Sequence, residues 1–547
     1  MKRKTVIKLL GAAMLSMALL SGCDSSGSSR GNIEQEEEEE EVKPTKAPEE
    51  PTPEAEPTES PTPTEARAAK EIDYRLLQLS TRVIANSYFE DDQELVSAKA
   101  THIELLDDDL PELKAAIDKF SSEREDFVTG DSFDKTVEMM LGLNEDMENG
   151  IGGEGAAPSF YYSSYEDYDV NVVRADTVVT SLLSYNESYS GGAHGSYYYI
   201  PVNYDSLTGE ELHLSDVIND NKIDLLPGVL EAELLQKYEA DTFFHADALA
   251  ETIEESISMN GDLNFSIGYD GLTFYFQIYE LAPYAAGHQT VFLSYRDYPE
   301  LAKDKYTECS SNFIINLEAM GDTLPDSEDT LYAYFTDKDE AGFCSKLVIN
   351  MNGKEYTEKI ESYTGSCWVA IISGEKYLIA ELPYGEGYYG LNFYSLNSGK
   401  PQLTAEYPGG FDESVPSDPI NFRIYEKCHL MSTYKIYRYY YISRSGEPAS
   451  TDEYFLVDTT HDRPYLTVKQ PIDAELRDNV DDEKYTTTTL NKGEKIYFYA
   501  VDPTSWVDFE TSDGSHVRFY LDGEDGKGQT IGGEDIEKLF DGIEFGQ

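Results

Sequence analysis

The chain has 547 residues, of which 105 are acidic and 42 basic, so its formal net charge is −63. A surface this acidic repels phosphate backbones, which excludes nucleic acid as an expected partner. It attracts cationic partners, but the charge alone is explained more simply as an adaptation for solubility. Only one long apolar run is present, near the N-terminus, which excludes a polytopic membrane protein.

The first 23 residues have the features of an export signal. Basic residues at positions 2–4 precede an apolar run from Leu9 to Leu20, which is too short to span a bilayer comfortably. The run ends in Leu20-Ser21-Gly22-Cys23, which resembles the lipobox of bacterial lipoproteins, where the cysteine is diacylated. We therefore expect a lipid on Cys23 and an extracellular location on the cytoplasmic membrane. The alternative is an ordinary signal peptide with an incidental cysteine.

Residues 24–70 predict a disordered acidic tether. They contain a glutamate block, Glu36 to Glu41, and Pro-Thr-Glu repeats such as Pro51-Thr52-Pro53-Glu54. Such a segment has little apolar surface to bury, and prolines and like charges keep it extended. We expect it to hold the folded part away from the lipid headgroups.

Residues 71–305 predict an α+β domain. We expect a short helix, a strand at Leu95 to Thr101 and further helix up to residue 148. Alternating Tyr- and Val-rich strands follow over residues 159–205, then helices near 222–240 and 246–258 and a hairpin over 265–278. The predicted sheet is antiparallel.

Residues 306–470 predict a domain made almost entirely of strands and turns. The region holds all four remaining cysteines, and outside the cell an even number permits two disulfides in three possible connectivities. These cysteines are Cys309, Cys344, Cys367 and Cys428. Their long spacings contain no CxxC pair, so we expect no zinc site.

Residues 471–547 predict a small β module. Lys492-Gly493-Glu494-Lys495-Ile496 and Trp506-Val507-Asp508-Phe509 read as strand entries. Their order, with a later Asp-Gly turn, resembles bacterial SH3-like domains, which often bind cell-wall components. We therefore expect an SH3-like barrel here.

A further resemblance covers about residues 71–305 and is carried by a series of short motifs. They are Val173-Arg174-Ala175-Asp176-Thr177, Tyr189-Ser190-Gly191-Gly192-Ala193-His194-Gly195, Asn203-Tyr204-Asp205, Thr208-Gly209-Glu210-Glu211-Leu212 and Tyr279-Glu280-Leu281-Ala282-Pro283-Tyr284-Ala285-Ala286-Gly287. Together they resemble the extracellular domain of the lysozyme-sensing anti-sigma factor RsiV. A similar domain of unknown function precedes the catalytic domain of the peptidoglycan deacetylase PdaC.

The resemblance implies a wall-facing recognition domain and no more. The chain lacks the sigma-binding segment of the first protein and the deacetylase metal motif of the second, so neither activity transfers. The candidate ligand-binding residues are Tyr189, Gly191, Gly192, His194 and Tyr284. Two interpretations of the glycine-rich loop remain: a structural turn in which His194 bonds to neighbouring backbone, or a loop presented to a partner.

The sequence lacks several common catalytic motifs. The sequence has no GxSxG, HExxH, Walker or dinucleotide-binding motif, and we expect no cofactor, no metal and no catalytic residue. The sequence thus favours a non-catalytic binding or sensing protein whose partner is a cationic protein such as lysozyme, or peptidoglycan. The alternatives are an uncharacterised cell-wall hydrolase and a structural lipoprotein without a specific ligand.

Overall fold

The computed structural model describes residues 73–90, 92–148, 163–191, 194–321, 323–325, 327–385, 387–460, 463–482, 484–523 and 528–546. Residues 71–547 form one compact unit. The predicted signal, Cys23 and the predicted tether lie outside the described residues.

Eight α-helices are present in the described residues, and half of them are single turns. Their bounds are α1 Pro111–Thr129, α2 Asp131–Glu148, α3 Leu214–Val217, α4 Leu226–Lys237, α5 Leu249–Asn260, α6 Asp304–Thr307, α7 Leu317–Met320 and α8 Ile536–Leu539.

The described strands are far more numerous. In chain order they are β1 Leu79–Glu90, β2 Gln93–Leu105, β3 Ser164–Ala175, β4 Val179–Tyr189, β5 Ser196–Asp205, β6 Phe265–Ile267, β7 Gly271–Phe276, β8 Gln289–Ser294, β9 Phe313–Asn316, β10 Leu331–Lys338, β11 Cys344–Met351, β12 Lys354–Ser362, β13 Cys367–Ile372, β14 Glu375–Gly385, β15 Tyr388–Ser395, β16 Gln402–Pro408, β17 Ser414–Val415, β18 Phe422–Cys428, β19 Tyr434–Ile442, β20 Pro448–Ala449, β21 Phe455–Val457, β22 Tyr465–Val468, β23 Ile472–Arg477, β24 Thr486–Leu490, β25 Lys495–Asp502, β26 Trp506–Thr511, β27 His516–Tyr520, β28 Thr530–Ile531, β29 Glu534–Asp535 and β30 Phe540–Asp541. The fold is thus mixed α+β and mostly β.

A six-stranded sheet with the order β17-β1-β2-β3-β4-β5 organises the first part of the unit. The prediction of a helix ahead of the strand at residue 95 is wrong. Strand β1 occupies that segment and pairs with β2 along its whole length, from Leu79 opposite Leu105 to Glu90 opposite Gln93. The apolar side chains of β1 and its pairing with β2 outweigh local helix propensity.

The prediction of an antiparallel sheet is wrong at one junction, because β2 and β3 are parallel. Parallel neighbours need a long crossover connection, and α1 and α2 provide it. Both helices pack on one face of the sheet, where Ile117, Phe120 and Met140 are buried against strand residues such as Ile103.

The next part of the unit combines α4 and α5 with the three-stranded antiparallel sheet β6-β7-β8. Leu230, Ile253 and Phe274 are fully buried in its core. The helices predicted near residues 222–240 and 246–258, and the hairpin over 265–278, are confirmed as α4, α5 and β6-β7.

Residues 306–470 contain the sheets β10-β11-β12 and β16-β15-β14-β13-β9. Their shared core includes Leu347, Val369 and Leu378, and it also receives Val173 and Leu183 from the first sheet. The structure holds Cys309, Cys344, Cys367 and Cys428 as thiols, and Cys309 is the least buried of the four.

The C-terminal part is a large sheet in which β22 and β25 pair across residue 470. Phe498, Phe509 and Phe540 fill its core. The SH3-like barrel remains a prediction. Across the described residues, none of the helices has both the length and the apolar composition needed to cross a membrane.

Candidate functional site

The six-stranded sheet presents tyrosines and carboxylates on the face opposite the helices. Its registers place Tyr165 opposite Tyr189, Asp167 opposite Glu187, and Tyr185 opposite Tyr199. Because side chains alternate along a strand, these residues share one face while residues such as Tyr168 and Val170 point toward the helices. We call this surface the tyrosine face: Tyr165, Tyr185, Glu187, Tyr189, Tyr197 and Tyr199, with His194, Tyr279, Tyr284 and His288 beside it.

The glycine-rich loop places His194 against the ring of Tyr284, which lies 90 residues further along the chain. Gly191 has a φ of +92°, a left-handed conformation that favours glycine, as the chain turns out of β4. The rings of His194 and Tyr284 then stack with centroids 3.9 Å apart and planes 26° from parallel. The hydroxyl of Tyr284 donates to the Gly195 carbonyl oxygen at 3.0 Å, which fixes this stack.

The histidine also contacts neighbouring backbone. Nδ1 of His194 lies 2.9 Å from the Gly195 carbonyl oxygen, as the structural interpretation of this loop predicts. The imidazole is nevertheless exposed, and one side of the Tyr284 ring supports it. The loop is therefore ordered by contacts with Tyr284 and still presents His194 at the surface.

The segment that carries Tyr284 is strained and well supported. Tyr279, half of whose surface is exposed, adopts a φ of +66°, which costs a non-glycine residue about 1 kcal/mol. Its ring lies 5.8 Å from that of Tyr284. The Glu280 carboxylate accepts the N–H of Gln277 at 2.7 Å, which stabilises the turn.

The amide of Gln277 joins this turn to the sheet. Its Nε2 donates to the Tyr199 carbonyl oxygen at 2.6 Å, and its Oε1 accepts the Tyr199 N–H at 3.2 Å. His288 Nε2 lies 3.1 Å from the same Oε1, and its ring meets Tyr197 and Tyr199 edge-on. Burial lowers the pKa of His288 to about 4, so this imidazole is neutral at physiological pH.

Tyr165 lies beside the glycine-rich loop, since a Cβ built on Gly195 would be 3.6 Å from its hydroxyl oxygen. Its ring stacks on Tyr189 at 6.2 Å, and its hydroxyl donates to Glu187 at 2.7 Å. That hydrogen bond, with some burial, raises the pKa of Tyr165 to about 12. Glu187 thus lies half-buried between the Tyr165 hydroxyl and Tyr197, its partner on β5.

Basic residues are rare around these rings. Neither residues 175–221 nor residues 238–295, which supply most of the tyrosine face, contain a lysine or arginine. Lys99 on β2 lies nearby and pairs with Asp167 at 3.2 Å and Asp169 at 3.6 Å. The face therefore combines aromatic rings with a negative local field.

The motif at residues 173–177 has a structural role. Arg174 and Asp176 are fully buried and form an ion pair at 2.7 Å. Arg174 also donates to the Tyr306 carbonyl oxygen at 2.6 Å, and Asp176 accepts the Val179 N–H at 2.9 Å. A buried pair of this kind ties distant segments together, although Nη2 of Arg174 is buried without a hydrogen-bond partner among the described residues.

The motif at residues 203–212 is also structural. Asn203 accepts the Ser181 hydroxyl at 2.7 Å and donates to the Phe265 carbonyl oxygen at 2.7 Å. Asp205 accepts backbone N–H groups of the following turn and pairs with Lys305 at 2.5 Å. These contacts join the first sheet to β6 and α6.

Of the predicted ligand residues, the structure brings His194 and Tyr284 together and places Tyr189 on the same side of the sheet. Gly191 makes the turn, whereas Gly192 lies outside the described residues. Sequence reasoning missed Tyr165, Tyr197, Tyr199 and His288, although the i, i+2 spacing of tyrosines in a strand is a usable signal. No group of three His, Cys, Asp or Glu residues in the described ranges could hold a metal ion.

Comparison with protein families matches residues 215–296 to the family described as a protein of unknown function, DUF3298. The chain carries a DUF3298 domain. That domain supplies Tyr279, Tyr284 and His288, while the sheet residues of the tyrosine face precede it. None of the curated proteins matches the chain.

Two solved structures of DUF3298 family proteins resemble the chain. One is from Bacteroides fragilis, with 17% identity, a TM-score of 0.32, and coverage of 42% of this chain and 94% of that one. The other is from Pseudomonas aeruginosa, with 17% identity, a TM-score of 0.25, and coverage of 42% and 96%.

Proposed function

We propose that this chain is a non-catalytic binding protein that uses the tyrosine face to recognise a basic protein of the cell envelope, such as lysozyme. The observation that carries the proposal is the stack of exposed His194 on Tyr284 within a group of tyrosines and carboxylates. Rigid aromatic side chains at the centre of a surface are typical of binding hot spots.

The charge distribution supports a cationic partner. Glu187 lies between Tyr165 and Tyr197, and the chain around it has no lysine or arginine over residues 175–221. Guanidinium and ammonium groups are attracted both to carboxylates and to the faces of tyrosine rings. A net charge of −63 would also speed the encounter with a basic protein.

The proposal includes a surface location. The lipobox-like sequence ending at Cys23 supports lipid anchoring outside the cytoplasmic membrane, and residues 24–70 support an extended tether. The resemblance to the RsiV and PdaC domains supports a wall-facing role for residues 71–305. The SH3-like character proposed for residues 471–547 would add a contact with the cell wall.

The test is binding of the full chain to lysozyme and, separately, to purified peptidoglycan over a NaCl series. We expect saturable lysozyme binding that persists near physiological salt. The double variant His194→Ala/Tyr284→Ala should weaken it by about thirtyfold or more, because truncating a hot spot typically costs about 2 kcal/mol or above. Tyr189→Ala should weaken it less.

Tyr441→Ala is the matched control, since Tyr441 is exposed on β19 far along the chain from the tyrosine face. Lysozyme binding that disappears at modest salt would be charge attraction alone and would contradict the proposal. Saturable binding to peptidoglycan and none to lysozyme would replace the basic protein with the wall polymer.

A further inference from the structure

Among the described residues, the outer edge of β1 is open over most of its length. Strand β17 pairs only with Leu79 and Ser80, and the Thr81 N–H donates to the Glu413 carbonyl oxygen at 2.5 Å. From Arg82 to Glu90, none of the strands in the described residues pairs with this edge.

The alternation of backbone groups identifies which residues are available. In an antiparallel ladder, every second residue points its N–H and carbonyl away from a given neighbour. Since Thr81 bonds outward to the Glu413 segment, Val83, Ala85, Ser87 and Phe89 also direct their backbone groups to the open edge. The backbone hydrogen bonds between β1 and β2 therefore do not use the N–H and carbonyl groups of these four residues.

The edge lacks the charges and proline that usually protect an edge strand from pairing, although the β1–β2 ladder has one register shift, between Tyr88 and Phe89. Exposed edge strands normally carry charges or proline, yet residues 83–89 read Val-Ile-Ala-Asn-Ser-Tyr-Phe and contain neither. Val83 is 65% exposed and Phe89 is 59% exposed. A charge-free stretch of this length contrasts with a chain that has 105 acidic residues.

We propose that this edge pairs with the same edge of a second copy of the chain, antiparallel about a two-fold axis at Asn86. This register sets Val83 opposite Phe89 of the second copy, so the two most exposed apolar side chains of β1 would pack side by side across the junction. It also sets Arg82 opposite Glu90 and Ala85 opposite Ser87. On the order of eight backbone hydrogen bonds would form.

Both charge and symmetry favour a second copy over another partner. The edge is self-complementary, with one cation and one anion at opposite ends of the apolar stretch, as a two-fold interface requires. A basic partner would find no carboxylate between positions 83 and 89. The two-fold axis is perpendicular to the sheet, so both tyrosine faces lie on the same side of the dimer.

The association state of the full-length chain in detergent, measured by analytical ultracentrifugation at low and high NaCl, tests this inference. We expect a monomer–dimer equilibrium that tightens as salt rises, because screening reduces the repulsion between two copies of charge −63. Added salt should strengthen the dimer but weaken lysozyme binding, so the two proposals can fail independently.

Two variants locate the interface. Phe89→Lys should raise the dimer Kd by about tenfold or more, since it loses apolar burial and brings in a charge at the edge. Ala85→Pro should act likewise by removing one outward N–H without disturbing the ladder with β2. Phe244→Lys, at a site 49% exposed, is the matched control and should leave the equilibrium unchanged.

Cysteine pairs test the register. Hydrogen-bonded antiparallel partners have Cα atoms about 5.5 Å apart, within disulfide range. A mixture of Ala85→Cys and Ser87→Cys chains should therefore cross-link more than either chain alone or a Ser398→Cys control. A monomer at every concentration and salt, or a dimer that persists in both edge variants, would overturn the inference.

Discussion

Glu381 is a buried carboxyl whose raised pKa should make the stability of the fold depend on pH. It lies on β14 with 8% of its surface exposed, and its Oε1 accepts the N–H groups of Phe411 at 2.6 Å and Asp412 at 3.3 Å. Burial raises the pKa of this carboxyl to about 7, despite those two hydrogen bonds. The folded chain therefore holds a proton on Glu381 at pH values where the unfolded chain has lost it.

This protonation makes stability depend on pH. The contribution of Glu381 is most favourable below its unfolded pKa near 4.5 and is lost as pH rises to about 7. Glu381→Gln removes the titration, so the variant should gain stability relative to wild type between pH 5 and pH 8, by at most about 3 kcal/mol. Denaturant unfolding at several pH values measures the difference.

Glu375→Gln, on the exposed end of the same strand, is the control and should show no such trend. A difference between wild type and Glu381→Gln that is independent of pH would contradict the expected titration of Glu381.

Among the elements, the turn after β5 shows why a particular glycine is required. Gly209 has a φ of +67°, and a Cβ there would lie 2.4 Å from the Glu112 carbonyl oxygen at the start of α1. The turn thus packs its backbone directly on the helix. Thr208-Gly209-Glu210 is needed for this contact between elements, which are almost a hundred residues apart in the chain.

Gly209→Ala should therefore cost more than the conformational penalty alone. That penalty is about 1–2 kcal/mol for a left-handed alanine, and displacement of α1 or the turn adds to it. Gly514→Ala is the matched control, because Gly514 has a φ of +84° and open space around it. Equal losses of unfolding free energy in the two variants would show that the contact with α1 is unimportant.

For the whole molecule, charge is the dominant feature. The folded unit concentrates carboxylates that an expanded chain would separate, so mutual repulsion lowers its stability. The buried pair of Arg174 and Asp176 is screened little by salt, whereas exposed carboxylates are screened strongly.

We expect the thermal midpoint of the full chain to rise by a few degrees as NaCl is added, at neutral pH. Differential scanning calorimetry measures the shift, and KCl at equal ionic strength should reproduce it. A midpoint that falls with salt would mean that favourable ion pairs outweigh the net repulsion.

The sequence predicted some elements well and others poorly. The pattern at Phe265 to Ile278 specified a hairpin, because the Asp270-Gly271 turn and the alternating apolar residues act locally. The helix expected before residue 95 was wrong, since long-range pairing with β2 determines the conformation of β1. The parallel junction of β2 and β3 depends on the path of two helices, which no local pattern reveals.

The sequence likewise predicted only part of the candidate site. The glycine-rich loop and the segment around Tyr284 were identified from the sequence as residues that could contact a partner. Their stacking is a contact across 90 residues, and Tyr165, Tyr197 and His288 join it only through strand register and the hydrogen bonds of Gln277. The sequence did not separate these residues from the many other tyrosines of the chain.

The sequence by itself determined the acidic charge, the α+β composition and the local turns, because these depend on residue type and on neighbours a few positions away. The tertiary structure decided which tyrosines share a face, why Arg174, Asp176 and Gly209 are structural, and which strand edge stays open. These properties depend on contacts between residues far apart in the chain, and only the packed fold brings such residues together.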